Sequence, residues 1–586
     1  MESIVDWIAF REAEGGSIAF YDDGDWSRLS YDDLAAKTRG VAESLRGKGI
    51  GRGDRVALIL PTGVDFARYF FATLAIGAVP TAVAPVGLTG NLAHREYVGA
   101  LLSALDATAV VGEAGALAEV ERTDFIGAPM LIDVADEVRD RSTIELTPAR
   151  GGETAIIQFT SGSTSAPRGV RLSAGAVLAH IAMLKSVFHQ DGEHGRTAHS
   201  QTFGSWLPLH HDMGLIGTFM SPITYGQDVW LMRPEHFVRR PALWLELFGR
   251  HGLHHSAMPN FAVERIVRLV SERSLVGMDF STWRTLIVGS DRINFRALRA
   301  FYELLAPYGF KPETIKPGYG MAETTLAITT TGPGEEPTAL TLDFSSMRAS
   351  DEARIVRKQS LSEFVSTSTG VGSGVEEVNH VVSCGRELPG AAVAIIATDG
   401  QVLPDGCVGE IEVSSPAIFS GYLGDGPPDQ LPRYRTGDLG LRLDGELYVI
   451  GRVGNSVKIN GSFVLAEDAE IAIAERLNIK HDKVIVVLRD VGSVGRAAAL
   501  VVFQQRVAAE KVDQAVGVLT KLGIDAANAA LAFVAPLAVP RTTSGKPKRA
   551  VLWDELESGA TEMRAVFVGA QSRFAERRVA DELVSR

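Results

Sequence analysis

The chain is predicted to be an α/β protein, with a large N-terminal domain of layered α/β subdomains followed by a small C-terminal α+β domain. Three observations lead there. Helical and strand-like patterns alternate over the first 150 residues and continue to about residue 330, which suits largely parallel sheets covered by helices. A polar stretch rich in Ser, Gly and Glu, residues 345–377, then interrupts the pattern. After Gly451 the chain starts a short α/β unit of its own. At 586 residues the chain is too long for one compact core, and the boundary is placed at Arg452, giving domains 1–452 and 453–586.

Taken in order, Ser30 is positioned to cap a helix over 31–46, with Asp33 at the third position of a capping box. The glycine-rich segment from Gly49 to Gly53 breaks that helix. The apolar run 55–60 suits a buried strand, and a helix is expected over 65–76. A further apolar strand, 155–159, leads into a Ser/Thr/Gly segment. Beyond the polar stretch, strands are expected at 392–396 and 409–413 around a turn at Pro404-Asp405-Gly406, and at 483–488 and 497–503 in the C-terminal unit.

Composition excludes several classes. The net charge of -13 argues against a nucleic-acid surface, which needs a basic stripe to replace counterions. Cys384 and Cys407 are the only cysteines, too few for a disulfide framework or a cysteine-rich zinc site. The first residues carry no basic region ahead of an apolar run, and no uncharged stretch approaches the roughly 20 residues of a membrane span. A cytoplasmic location is expected, with no nucleic-acid partner and no membrane span.

Four segments concentrate chemistry. Residues 160–169 read Thr-Ser-Gly-Ser-Thr-Ser-Ala-Pro-Arg-Gly: small residues admit a polyphosphate, hydroxyls and backbone N–H groups donate, and Arg168 adds charge. It is not a Walker A loop, since no G-x-x-x-x-G-K-[ST] occurs there. Residues 318–325, Gly-Tyr-Gly-Met-Ala-Glu-Thr-Thr, put the carboxylate of Glu323 among hydroxyls and glycines, a set suited to Mg²⁺ held against phosphate. Residues 434–440, Tyr-Arg-Thr-Gly-Asp-Leu-Gly, offer Asp438 to ribose hydroxyls, and 540–549 carry Lys546 in a basic loop after a glycine. Singly, these segments read as readily as a solvated turn, a turn capped by Glu323, a hairpin and a surface charge cluster. The pair His210-His211 with Asp212 is a poor metal site, because adjacent residues rarely aim at one ion and no H-E-x-x-H occurs. No G-x-S-x-G marks a hydrolase.

Together, in this order and at these separations, the four segments resemble the adenylate-forming superfamily of acyl-CoA synthetases, luciferases and peptide-synthetase adenylation domains, over nearly the whole chain. Residues 206–217 (Trp-Leu-Pro-Leu-His-His-Asp-Met-Gly-Leu-Ile-Gly), 258–261 (Met-Pro-Asn-Phe), 279–283 (Asp-Phe-Ser-Thr-Trp) and 305–310 (Leu-Ala-Pro-Tyr-Gly-Phe) look like the fatty acyl-AMP ligases, which carry an insertion where 345–377 lies.

The resemblance implies an ATP- and Mg²⁺-dependent ligase that joins a carboxylic acid, fatty or otherwise lipophilic, to AMP. The bound acyl-AMP then passes its acyl group to a phosphopantetheine thiol, on an acyl carrier protein or on coenzyme A; the insertion is associated with the carrier. The second reading is an acyl-CoA ligase that mainly converts a supplied acyl-AMP to a thioester. By the same resemblance, Lys546, Glu323 and His211 are catalytic, with Glu323 the metal ligand and His211 near the acyl carbonyl. Thr160, Ser161, Gly162, Ser163, Thr164 and Arg168 hold the triphosphate. Gly318, Tyr319, Gly320, Met321 and Thr324 line the nucleotide, Tyr319 lies against adenine, and Asp438 and Arg452 reach the ribose. The small domain is mobile: it rotates about a hinge just after Arg452, withdrawing Lys546 and bringing Gly461 to the thiol passage.

The chain departs from that pattern in places. Ser165 and Arg168 stand where a glycine and a lysine are usual, Gly454 and Asn455 replace charged hinge residues, and the usual proline near 466–470 is absent. The altered phosphate loop is what motivates the second reading.

Overall fold

A computed structural model describes residues 3–9, 16–22, 24–85, 92–136, 143–160, 167–188, 201–343, 351–367, 380–426, 432–459, 462–480, 483–490, 497–541 and 547–574. The expected α/β architecture is present. Ser30 caps the helix Tyr31–Gly47, its hydroxyl accepting from Asp33 N at 3.1 Å and donating to the Asp33 carboxylate at 2.7 Å. The run Arg55–Ile59 is a strand, and Val64–Ala75 a helix that packs on Tyr31–Gly47. With Val79–Ala82, Ala109–Gly112 and Met130–Asp133, the first of these strands forms a four-stranded parallel sheet, buried as its apolar residues require.

A nine-stranded sheet forms the body of the N-terminal region. Six neighbouring strands in it run parallel, in the spatial order Ile315–Gly320, Thr285–Gly289, His255–Pro259, Thr202–Ser205, Asp228–Leu231 and Ser17–Asp22. From Thr202–Ser205 the chain first steps to one side, to Asp228–Leu231. It then returns to the other side through His255–Pro259, Thr285–Gly289 and Ile315–Gly320. Strand order therefore reverses at Thr202–Ser205, and the loops leaving neighbouring C-terminal strand ends diverge into a crevice, the usual ligand position in open α/β sheets.

An antiparallel sheet of Ala392–Ile396, Gly409–Ser414, Tyr434–Leu443 and Glu446–Arg452 follows. The polar stretch 345–377, read in the sequence as an interruption, contains regular structure: the strand Ile355–Ser360 pairs with Thr338–Leu342, and the helix Leu361–Thr367 follows. Leu361 is fully buried, and the Phe364 ring stacks on Phe295 at 4.9 Å. The strand escapes a periodicity reading because it is an edge strand whose central residues are exposed.

After Arg452 a short 3₁₀ turn, Val453–Asn455, leads to the hairpin Ser456–Ile459/Ser462–Leu465 and the helix Ala466–Leu477. A mixed sheet of Val484–Asp490, Ala497–Phe503, Ala529–Phe533 and Arg564–Val568 completes the C-terminal region. Two apolar clusters there are built wholly from residues beyond 456. No helix among the described residues is long and apolar enough to cross a membrane.

Candidate active site

The segment 318–325 leaves the parallel strand Ile315–Gly320 at its C-terminal end. Gly320 must be glycine, since a Cβ there would lie 1.8 Å from the Leu326 carbonyl oxygen. Thr324 closes the turn, accepting from Met321 N at 3.2 Å and donating to the carbonyls of Met321 and Leu326. Thr325 has φ +65°, strained for a β-branched residue, and is held by its hydroxyl on the Ala417 carbonyl at 2.7 Å. This over-determined turn directs Tyr319 one way and Glu323 another.

Tyr319 donates to Asp438 Oδ2 at 2.7 Å, and Arg452 Nε donates to Asp438 Oδ1 at 2.9 Å. Asp438 and Arg452 are cross-strand partners in the antiparallel sheet, so register alone brings them together. Asp438 is buried, which its two donors make tolerable. Burial, and then the Asp438 charge, hold the Tyr319 phenol well above its ordinary pKa, so it stays a donor. Both Asp438 oxygens keep a lone pair, enough to accept from vicinal hydroxyls.

Glu323 lies beside this group. Its Oε1 accepts from the Tyr422 hydroxyl at 2.7 Å, and the Tyr434 hydroxyl sits 3.1 Å from that of Tyr422. The Arg168 guanidinium lies over the Tyr422 ring, 3.6 Å from its centroid. Thr160 and Arg168 face each other at the loop end of the hairpin Thr154–Thr160/Arg168–Ser173. A cavity of about 340 Å³ opens beside them, lined by Ala104, Pro167, Arg168, Gly169 and Tyr422. Among the described residues, Glu323 Oε2 accepts no hydrogen bond, and no group of three His, Cys, Asp or Glu could hold a metal. A lone carboxylate completed by phosphate oxygens and water fits Mg²⁺, which rarely takes an all-protein cage.

His211 stands at the reversal point of the large sheet, past the C-terminal end of Thr202–Ser205. Its carbonyl accepts from Leu215 N at 2.8 Å, and its ring lies 4.5 Å from that of His210. The buried π-helical turn Met213–Met220 follows directly, an irregularity frequent at functional sites. Leu215, Ile216 and Ala322 belong to the same large apolar cluster.

The structure thus brings together Thr160 and Arg168 at one end, Glu323 in the middle, and Gly318, Tyr319, Gly320, Met321, Thr324, Asp438 and Arg452 at the other. Ser161, Gly162, Ser163, Thr164, Gly461 and Lys546 lie outside the described residues. Lys548, two positions after Lys546, has its ammonium 5.8 Å from the ring centroid of Tyr97, on the helix that also supplies Ala104 to the cavity. Sequence reasoning overlooked Tyr422. Its only local signal is an aromatic residue in the glycine-rich run 419–426.

The AMP-binding enzyme family model matches residues 9–423. A long-chain-fatty-acid–AMP ligase of Mycobacterium tuberculosis is 30% identical over 563 residues, covering 90% of this chain and 91% of that protein. A 4-hydroxyphenylalkanoate adenylyltransferase of Mycobacterium marinum is 29% identical over 565 residues, covering 90% and 85%. A solved structure from a study of fatty acyl-adenylate ligases of E. coli and L. pneumophila superposes with a TM-score of 0.82 at 27% identity, covering 96% of this chain and 98% of that one.

Proposed function

This chain belongs to the family of AMP-binding enzymes, and from that premise we propose that it joins a fatty or other lipophilic carboxylic acid to AMP and passes the acyl group to the phosphopantetheine thiol of a carrier protein. Adenylate-forming ligase chemistry is the family's common ground. The observation that carries the reading is that the turn 318–325 joins two differently equipped groups: through Tyr319 a buried, doubly held Asp438 suited to a ribose, and through Glu323 a Glu323–Tyr422–Arg168 group suited to a metal-bound triphosphate.

The acid's carboxylate oxygen attacks the α-phosphorus of ATP, the bond to the β-phosphate oxygen breaks, and pyrophosphate leaves. Two anions must meet. At about 4 Å, like unit charges repel by roughly 4 kcal/mol at an effective dielectric near 20, so cationic residues dominate the design. Arg168, with Thr160, Ser161, Gly162, Ser163 and Thr164, orients the β- and γ-phosphates. Tyr319 flanks the adenine, Asp438 and Arg452 hold the ribose, and Gly318, Gly320, Met321 and Thr324 shape the wall. Glu323 would hold Mg²⁺, which would neutralise phosphate oxygens. Lys546, delivered by the C-terminal region, bridges carboxylate and α-phosphate as charge develops. His211 stands at the mouth of the acyl pocket. In the second step the region beyond Arg452 turns about 453–456, Gly461 lines the thiol path, the thiol sulfur attacks the acyl carbonyl, and the bond to AMP breaks.

A carrier acceptor is supported by how the insertion is held. Strand pairing and the Phe364–Phe295 stack fix Ile355–Thr367 against the N-terminal region, a firm attachment for an element associated with poor use of free coenzyme A. The second reading, an acyl-CoA ligase acting mainly on supplied acyl-AMP, is favoured by Ser165 and Arg168 alone. A cytoplasmic location accords with the two free cysteines, both buried.

Mass spectrometry of products from ATP, Mg²⁺ and an acid panel tests all of this, run with coenzyme A, with holo carrier protein and with neither. The proposal expects acyl-AMP and pyrophosphate without any thiol, and thioester on the carrier. In a parallel arm that supplies acyl-AMP in place of acid and ATP, thioester formation there but none from acid and ATP would select the second reading.

A further inference from the structure

We propose that Tyr422 is a positioning residue that sets the spacing between the metal-binding carboxylate of Glu323 and the phosphate-binding guanidinium of Arg168, so that metal and triphosphate are received as one unit. The inference rests on the proposed function, which makes Glu323 the magnesium ligand and Arg168 a phosphate contact.

Tyr422 is held in place from several sides. Segment 420–423 runs antiparallel beside the strand Arg168–Ser173: Ser420 N donates to the Arg171 carbonyl at 2.8 Å, Arg171 N to the Gly421 carbonyl at 3.1 Å, and Leu423 N to the Gly169 carbonyl at 2.8 Å. The Arg171 guanidinium ties the carbonyls of Ser420, Asp425 and Gly426, each at 3.0 Å. A Cβ on Gly169 would lie 2.5 Å from the Leu423 side chain, which packs over this glycine. Phe419 packs edge-on against the ring at 4.9 Å.

Held there, the phenol has two working parts. Its ring carries Arg168 at 3.6 Å, a contact that suits a planar guanidinium better than the compact ammonium of lysine. Its single proton goes to Glu323 Oε1, so the Tyr434 hydroxyl donates in turn to the Tyr422 oxygen. This relay occupies one carboxylate oxygen and leaves Oε2 for a cation. Arginine in place of the family's lysine at 168 thereby acquires a reason: Arg168 and Tyr422 form a matched pair.

Tyr422→Phe keeps the ring and removes the hydroxyl; Tyr422→Leu removes both. Electron paramagnetic resonance of Mn²⁺ bound with a non-hydrolysable ATP analogue reads the metal site without turnover, and metal-free AMP binding serves as the control for folding and for the Asp438 end. Tyr422→Phe is expected to weaken Mn²⁺ binding about tenfold or more, the worth of one hydrogen bond to a charged group, with AMP affinity unchanged. Arg168→Lys is expected to weaken analogue binding in the wild-type background and to have little further effect beside Tyr422→Leu. Wild-type Mn²⁺ affinity in Tyr422→Phe, or additive effects of the Arg168 and Tyr422 changes, would overturn the proposal. Should wild-type protein form no acyl-AMP at all, the proposed function falls first; acyl-AMP formation together with an unperturbed metal site in Tyr422→Phe removes the role of Tyr422 alone.

Discussion

A buried imidazole lies directly behind the turn that carries Glu323. His180 Nε2 accepts from Ala327 N at 3.3 Å, so its proton sits on Nδ1, and burial pushes its pKa down to about 3. Unfolded, the same ring titrates near 6.5, so the unfolded chain binds more protons between these values. The contribution of His180 to stability is complete above pH 6.5 and is lost at roughly 1.4 kcal/mol per pH unit as the pH falls toward 3. Replacing it with glutamine, which can still accept from Ala327, is expected to flatten that acid-side slope in urea unfolding; a parallel slope in His180→Gln would show that the imidazole is not the group titrating. In the proposed mechanism Lys546 acts as charge develops on the α-phosphate, and Lys546→Ala is expected to slow acyl-AMP formation at least ~100-fold. Initial rates of pyrophosphate release check this, and an unaltered rate would remove that lysine from the chemistry. Glu323, Asp438 and Lys546 stand out in the sequence because each lies in a short motif of unusual composition. Tyr422 does not, because its meaning depends on Glu323, 99 residues away, and on a ring contact no local pattern encodes.

Among the elements, Leu361–Thr367 connects the insertion to the rest of the protein. Phe364 lies between Phe295 and His380, with the Arg299 guanidinium 5.4 Å from its ring centroid. Phe364→Ala is expected to loosen this helix by about 1 kcal/mol, the scale of one aromatic pair, and to raise thioester formation on free coenzyme A relative to carrier. Amide exchange over 355–364 measures the first effect and product ratios the second. Faster exchange with an unchanged ratio would separate acceptor choice from this anchor. Strands with continuous apolar runs, such as Ala497–Phe503 and Ala392–Ile396, were legible in the sequence to the residue. Ile355–Ser360 was not, since its pairing with Thr338–Leu342 is fixed by partners rather than by its own alternation.

Across the whole molecule, polar contacts link the C-terminal region to the body. Arg292 pairs with Asp468 and Arg296 with Glu475, both across to the helix Ala466–Leu477, while Asn455 in the linking turn donates to Glu467 at 2.8 Å. Burial raises the Asp468 pKa, and Arg292 partly offsets it. Arg292→Ala strands that carboxyl, a loss on the order of 3–5 kcal/mol for a buried pair. Proteolysis within 452–456 is expected to accelerate while AMP binding persists; unchanged cleavage would place the holding contacts elsewhere. The pairings of Arg292 and Arg296 with the helix Ala466–Leu477 could not be read from the chain, because they join residues about 176 to 179 apart. One isotope measurement reaches the proposed chemistry most directly. With both carboxylate oxygens of the acid replaced by heavy oxygen, attack on the α-phosphorus followed by thiol transfer leaves one labelled atom in AMP and none in pyrophosphate. Mass spectra of AMP carrying one heavy oxygen are the expected result. Thioester accompanied by unlabelled AMP, or label in inorganic phosphate alongside ADP, would contradict an acyl-adenylate route.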